Sequence, residues 1–86
     1  ENRAIAVTLP QEMRLAIERI VAGDATGSVL EAFRNRLLDA GFDSIDYAEI
    51  RDGRDLAPAS EPGPGDRFFV AARIGGTRLI DNMPVA

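Results

Sequence analysis

The stretch Phe68-Phe69-Val70-Ala71-Ala72-Arg73-Ile74-Gly75-Gly76-Thr77-Arg78-Leu79-Ile80-Asp81 decides the fold. Phe68 to Ala72 is the longest apolar run of the chain. Its length suits a strand, and its lack of alternation predicts a central strand covered on both faces. Gly75-Gly76 follows as a tight turn, because paired glycines accept the positive φ that a two-residue hairpin demands. Thr77 to Asp81 is then the returning strand, closed by Pro84. Upstream, Ile45-Asp46-Tyr47-Ala48-Glu49-Ile50 interleaves polar and apolar side chains and is rich in strand formers, so it reads as the first strand, ending at Asp52-Gly53. Between the first strand and the hairpin, residues 54–65 are loop-like: Pro58, Pro62 and Pro64 remove ladder donors, with Leu56 as the expected anchor.

The first half of the chain changes period. Met13, Ala16, Ile17, Ile20 and Val21 recur at three- and four-residue spacing, the pattern of an amphipathic helix. Thr8 to Gln11 has the form of a capping box, Pro10 falls in the first turn, and Gly23 marks the stop. Ala4 to Val7 reads as a separate helical turn that Pro10 keeps from merging with this helix. After a connection at Asp24 to Gly27, Ser28 and Glu31 form a second capping box. Val29, Leu30, Phe33, Leu37 and Ala40 form the next apolar stripe, and Gly41 ends it. Arg34, Arg36 and Asp39 fall off the stripe as a solvated face. The expected fold is α+β, with two antiparallel helices packed on a three-stranded antiparallel sheet in the order α-α-β-β-β.

The chain has 86 residues, 45% apolar and 28% charged, which fits a single domain near the lower size limit for independent folding. It contains no His, no Cys and no Lys. Thiol catalysis, a Cys/His zinc site and a Schiff-base lysine are therefore excluded for these residues. Zero cysteine forbids a disulfide framework and points to a reducing, cytoplasmic setting. No apolar run approaches the length of a membrane span. A net charge of −4 argues against a nucleic-acid binder. Glu1-Asn2-Arg3 lacks an initiator Met and a signal-peptide pattern, which suggests an excised fragment.

Few constellations carry chemistry. Gly63-Pro64-Gly65 lacks the third glycine and the following helix of a phosphate cradle and reads as a turn. The carboxylate pairs Asp43/Asp46 and Asp52/Asp55 have no supporting metal or acid/base motif and read as turn caps. The arginines say more. Residues 67–86 hold three arginines and one acid, while the rest of the chain is correspondingly acidic. Arg67 and Arg73 alternate with Phe69 and Ala71 on one face, and Arg78 joins them from the next strand. Such guanidinium forks either meet an anionic substrate or partner or pair within the chain with Glu49 or Asp81.

Arg78-Leu79-Ile80-Asp81-Asn82, taken with Asp46-Tyr47-Ala48-Glu49-Ile50-Arg51-Asp52, Asp55-Leu56 and Val70-Ala71-Ala72-Arg73, resembles the C-terminal domain of the pantothenate synthetase (pantoate-beta-alanine ligase) family. The resemblance runs from Glu1 to the C-terminus. It implies an ATP- and magnesium-dependent ligation: pantoate is adenylated with loss of pyrophosphate, and beta-alanine then displaces AMP to give pantothenate. In that family the nucleotide-binding histidines, the lysine and the pantoate pocket belong to an N-terminal Rossmann-like domain, absent here. A Ser-Ser-Arg loop that contacts the ATP phosphates falls just upstream of Glu1. The resemblance thus makes residues 1–86 a single lid domain, inactive alone, whose partner is its own N-terminal catalytic domain. No catalytic, cofactor-binding or metal residue is carried over. Arg73, Arg78, Asp81 and Asn82 are the candidates for the domain interface. The parent is expected to be a homodimer through the other domain and the fragment a monomer. The alternative from a different class is a stand-alone α+β interaction module whose sheet face or Arg-rich hairpin binds a protein or an anionic ligand.

Overall fold

The computed structural model describes residues 2–52, 54 and 65–85. Three helices, α1 (Asn2–Ala6), α2 (Thr8–Val21) and α3 (Thr26–Ala40), precede three strands, β1 (Ser44–Asp52), β2 (Asp66–Ile74) and β3 (Thr77–Pro84). The strands form one antiparallel sheet in the order β1-β2-β3, so the Phe68 run does occupy the central strand. The expected α-α-β-β-β arrangement holds, with the short α1 in front of it. The Leu56 anchor, the Gly53 stop, Asp55 and the turn at Gly63-Pro64 lie outside the described residues.

Both long helices end by the same device. In α3, Phe42 N–H donates to the Leu37 carbonyl and Gly41 N–H to that of Leu38, each at 3.1 Å. In α2, Asp24 and Gly23 make the equivalent bonds to Arg19 and Ile20 at 3.0 Å. Gly41 (φ 120°) and Gly23 (φ 103°) supply the positive φ this reversal requires. The helix starts differ from expectation. Thr8 does not cap α2, because Val7 before it is already helical and the Thr8 hydroxyl turns back to the Ile5 carbonyl at 2.6 Å. Pro10 offers no N–H to the Ala6 carbonyl, which keeps α1 and α2 distinct. Ser28 does not cap α3 either, since the helix begins two residues earlier, at Thr26, without a side-chain cap. Ala25 is extended there, and its carbonyl already accepts the Val29 N–H at 3.0 Å, so Ser28 falls inside an exposed first turn.

The core lies between the helices and one face of the sheet. Leu9, Met13, Ala16 and Ile20 from α2 and Val29, Phe33 and Leu37 from α3 meet Ala48, Ile50, Phe68, Val70, Ala72 and Ile74. Phe33 and Phe68 pack edge to face, with ring centroids 5.0 Å apart. Val21, expected on the α2 stripe, is instead exposed, and Leu9 takes a core place that periodicity did not assign. Arg36 clasps Glu12 across the two helices at 2.5 and 3.2 Å, so the off-stripe face is partly used to hold α2 to α3. No helix among the described residues is long and apolar enough to cross a membrane.

Gly41 also fixes α1. A Cβ built at this position would lie 2.8 Å from Ile5 Cδ1, so α1 rests on the spot the missing side chain leaves. Gly41→Ala should destabilise the fold by about 1–3 kcal/mol, combining backbone strain with displacement of Ile5. Urea unfolding measures it. Adding Ile5→Ala should remove the steric part and leave the backbone part; a Gly41→Ala midpoint equal to wild type would contradict this account.

Candidate functional site

Cross-strand partners share a face of a sheet, so the register assigns each strand residue to the helix side or the open side. Tyr47, Ala71 and Ile80 lie across from one another, as do Glu49, Phe69 and Asn82, and Arg51, Arg67 and Pro84. Arg73 stands opposite Arg78. These residues form the open face. The continuous apolar run predicted cover on both sides of β2. The helices bury Phe68, Val70, Ala72 and Ile74, but on the reverse side Ala71 alone is buried, Phe69 is half-buried and Arg73 is exposed.

An irregularity in β1 shapes this face. Ile45 pairs with Ala72 and Tyr47 with Ala71, so Asp46 is an extra residue without a partner in β2. The bulge delivers its carboxylate to both arginines. Arg73 Nε donates to the two Asp46 oxygens at 3.2 Å, and Arg78 Nε donates to Oδ2 at 2.8 Å. Neither guanidinium makes a hydrogen bond to any other described residue. The Arg78 guanidinium also stands 6.0 Å from the centroid of the Tyr47 ring, at the limit of cation–π reach. Next to this pair, Tyr47, Glu49, Arg51 and Phe69 line a shallow depression of about 280 Å³. Arg51 pairs with Glu49 in its wall.

Of the four interface candidates, the structure brings Arg73 and Arg78 together and places Asn82 on the same face. There the Asn82 Oδ1 accepts Arg67 Nε at 3.0 Å and Nη2 at 2.7 Å. Asp81 is separated from them. It points to the helix side, half-buried, and its Oδ1 accepts the Asn82 N–H at 2.8 Å. The arginine partners proposed from the sequence were Glu49 and Asp81; the observed partner of Arg73 and Arg78 is Asp46. A signal for it exists in the sequence. Ile45 differs in parity from Ala48 and Ile50, and one extra residue between them lets all three face the helices.

Among the described residues no group of three or more His, Cys, Asp or Glu could hold a metal ion, and Asp46 is already committed to two guanidinium groups. Donation from Arg73, joined by that from Arg78 and by both positive charges, holds the Asp46 carboxyl below its ordinary value of 3.8. A lowered folded-state value means that the stabilisation from Asp46 is present above pH 3.8 and lost as the pH falls through the folded value. A carbon-13 carboxyl titration should find Asp46 ionising below 3.8 and moving up toward it in Arg73→Ala. An unmoved Asp46 curve would remove Arg73 as the main cause.

Comparison with known proteins gives the same answer over the whole chain. Residues 1–84 match the family model described as pantoate-beta-alanine ligase. The pantothenate synthetase of Dinoroseobacter shibae is 50% identical over 85 residues, covering 98% of this chain and 30% of that protein. That of Caulobacter vibrioides is 44% identical over 93 residues, covering 99% of this chain and 31% of its own length. The crystal structure of pantothenate synthetase from Thermus thermophilus superposes with a TM-score of 0.82 at 32% identity, over 99% of this chain and 31% of that one. The chain therefore spans about 30% of the length of the curated relatives it matches. With the helix stops, the sheet order and the Arg78 to Asn82 strand all falling within residues 1–84, the chain belongs to the pantoate-beta-alanine ligase family.

Proposed function

We propose that these residues form the C-terminal lid domain of an ATP-dependent ligase that joins pantoate to beta-alanine. In the proposed reaction the pantoate carboxylate attacks the α-phosphorus of ATP, expelling pyrophosphate. The beta-alanine amine then attacks the acyl carbon of pantoyl-adenylate, expelling AMP and forming the amide of pantothenate. The observation that carries this reading is the family match along nearly the whole chain, together with a span of only about 30% of the relatives' length. A sequence without His or Lys supports placing the ATP-binding and reacting groups in the rest of the protein. ATP and magnesium accordingly fall to that part, and no step through them is assigned to these residues. The setting proposed for the full-length protein is the cytoplasm, and its assembly a homodimer held through the other domain.

A lid contributes by closing over the adenylate. Closure excludes water that would hydrolyse the acyl phosphate and strengthens the electrostatic contacts inside the site. Arg73, Arg78 and Asn82 are proposed as contacts to the rest of the protein, and Asp81 as the residue that orders the backbone beside Asn82. The test uses full-length protein supplied with pantoate, beta-alanine and ATP. Arg78→Ala should slow pantothenate formation by about tenfold, a loss near 1.4 kcal/mol of transition-state stabilisation. Because Arg78 is surface-exposed, the thermal midpoint should move by less than about 2 °C. Parallel losses in rate and stability would make Arg78 purely structural. A full-length protein that consumes none of these substrates, or an 86-residue chain that makes pantothenate alone, would overturn the lid reading.

A further inference from the structure

Helices cover one side of the sheet, and no described residue covers the other. That open face has a definite chemistry. Ile80 is 62% exposed on it, flanked by half-buried Tyr47 and Phe69 over a fully buried Ala71. Among the described residues, Arg51, Arg67, Arg73 and Arg78 stand around this apolar centre, against Asp46 and Glu49. The face is thus locally positive on a chain whose net charge is −4, so the acidic surplus lies elsewhere. Arg73 and Arg78 sit directly opposite each other, a placement that like charges oppose unless an anion joins them. Asp46 supplies one carboxylate to two guanidinium groups, and it takes only their Nε edges. One positive charge remains, and the Nη groups of both arginines make no hydrogen bond to a described residue, so they have donors to offer a second carboxylate.

We infer that the open face of the sheet docks on the rest of the full-length protein, with an acidic side chain of that surface entering between Arg73 and Arg78 and apolar side chains seating on Tyr47, Phe69 and Ile80. The occupant follows from two observations. The chain spans about 30% of its relatives' length, so most of such a protein lies outside it, and the face it offers carries an excess of arginine, which favours an acidic partner surface. The inference rests on the part of the proposed function that makes this chain one domain of a longer ligase, and adds which face it presents and what that face recognises. Asn82, already turned toward Arg67, belongs to the rim of the contact. Asp81, on the helix side, is outside it.

Two positions of equal exposure provide the test. Ile80 on the open face and Val21 at the end of α2 are each 62% exposed within the domain. Ile80→Cys and Val21→Cys are introduced separately into the full-length protein. Alkylation of each peptide is followed by mass spectrometry, without substrates and with saturating ATP and pantoate. Docking predicts that Ile80→Cys reacts at least about tenfold more slowly than Val21→Cys in one of the two conditions. Equal rates in both overturn it. Protection that disappears on dilution over about two orders of magnitude would assign the face to a second copy of the chain and also overturn it. Adding Arg78→Gln to Ile80→Cys should raise its rate by about threefold or more, since a neutral amide loses the charge that an acid would seek. An unchanged rate overturns the acidic contact, and Asp46→Asn, which leaves both arginines in place, should keep the protection. Pantothenate formation is measured on the unsubstituted preparation. Ligation with an unprotected Ile80→Cys rejects the docking face alone, whereas absent ligation rejects the function it rests on.

Discussion

One extra residue in β1 organises both sides of the sheet. Without the bulge at Asp46, the side chains that follow it would sit on the opposite faces: Ala48 and Ile50 would leave the core, and Tyr47 and Glu49 would enter it. With it, the core acquires two more apolar side chains, and the reverse face acquires a carboxylate placed to join two opposed arginines. The same backbone event therefore determines what the helices pack against and what the open face presents. A bulge interrupts the ladder, so its persistence depends on what it places, and here the Asp46 contacts to Arg73 and Arg78 hold it from the outside while Ala48 holds it from the inside.

The corner between α3 and β1 carries that arrangement to the hairpin. Gly41 lets the chain reverse at once after α3, and Phe42 enters the core immediately. Asp43 then sends its carboxylate to the Gly75 N–H at 2.8 Å, while its own N–H donates to the Arg73 carbonyl at 2.9 Å. The start of β1 is thereby tied to the β2–β3 turn, where Gly75 (φ 55°) and Gly76 (φ 83°) give the doubly positive backbone of a tight hairpin. Arg73 and Arg78 flank that turn. Their separation is set by the ladder rather than by their own mutual repulsion, and this is the sense in which the site is built in advance.

What could be read from residue order follows this division between local and non-local causes. Gly23, Gly41 and Gly75-Gly76 announce their turns because positive φ is a property of one residue. The stripe of Val29, Phe33 and Leu37 and the central position of the Phe68 run are legible because burial imposes a period. The capping boxes at Thr8 and Ser28 misled because a cap requires a non-helical residue at that point, and the chain is helical before both. Covering of both faces of β2 was expected from its composition, but composition does not state which neighbour supplies the cover. The alternation of Arg67, Phe69, Ala71 and Arg73 on one face was visible; their partner was not. Asp46 comes from 27 positions before Arg73, and only the parity change in β1 hints that it turns outward.

The balance of terms on the open face bears on how a lid could work. Burying the exposed part of Ile80 would contribute about 1–2 kcal/mol, and Tyr47 and Phe69 would add less because they are already half-covered. Against this stands the cost of removing guanidinium groups from water, which an entering acid recovers only when its geometry is good. Asp46 reduces that cost, since both arginines keep one partner whether the face is covered or open. The domain can therefore present this surface to solvent without leaving an unpaired cluster of charge, and can cover it for a modest net gain. A large apolar face would hold the proposed lid shut, and a bare arginine pair would hold it open; an apolar centre beside two arginines that already share Asp46 lies between, which would let the proposed closure reverse.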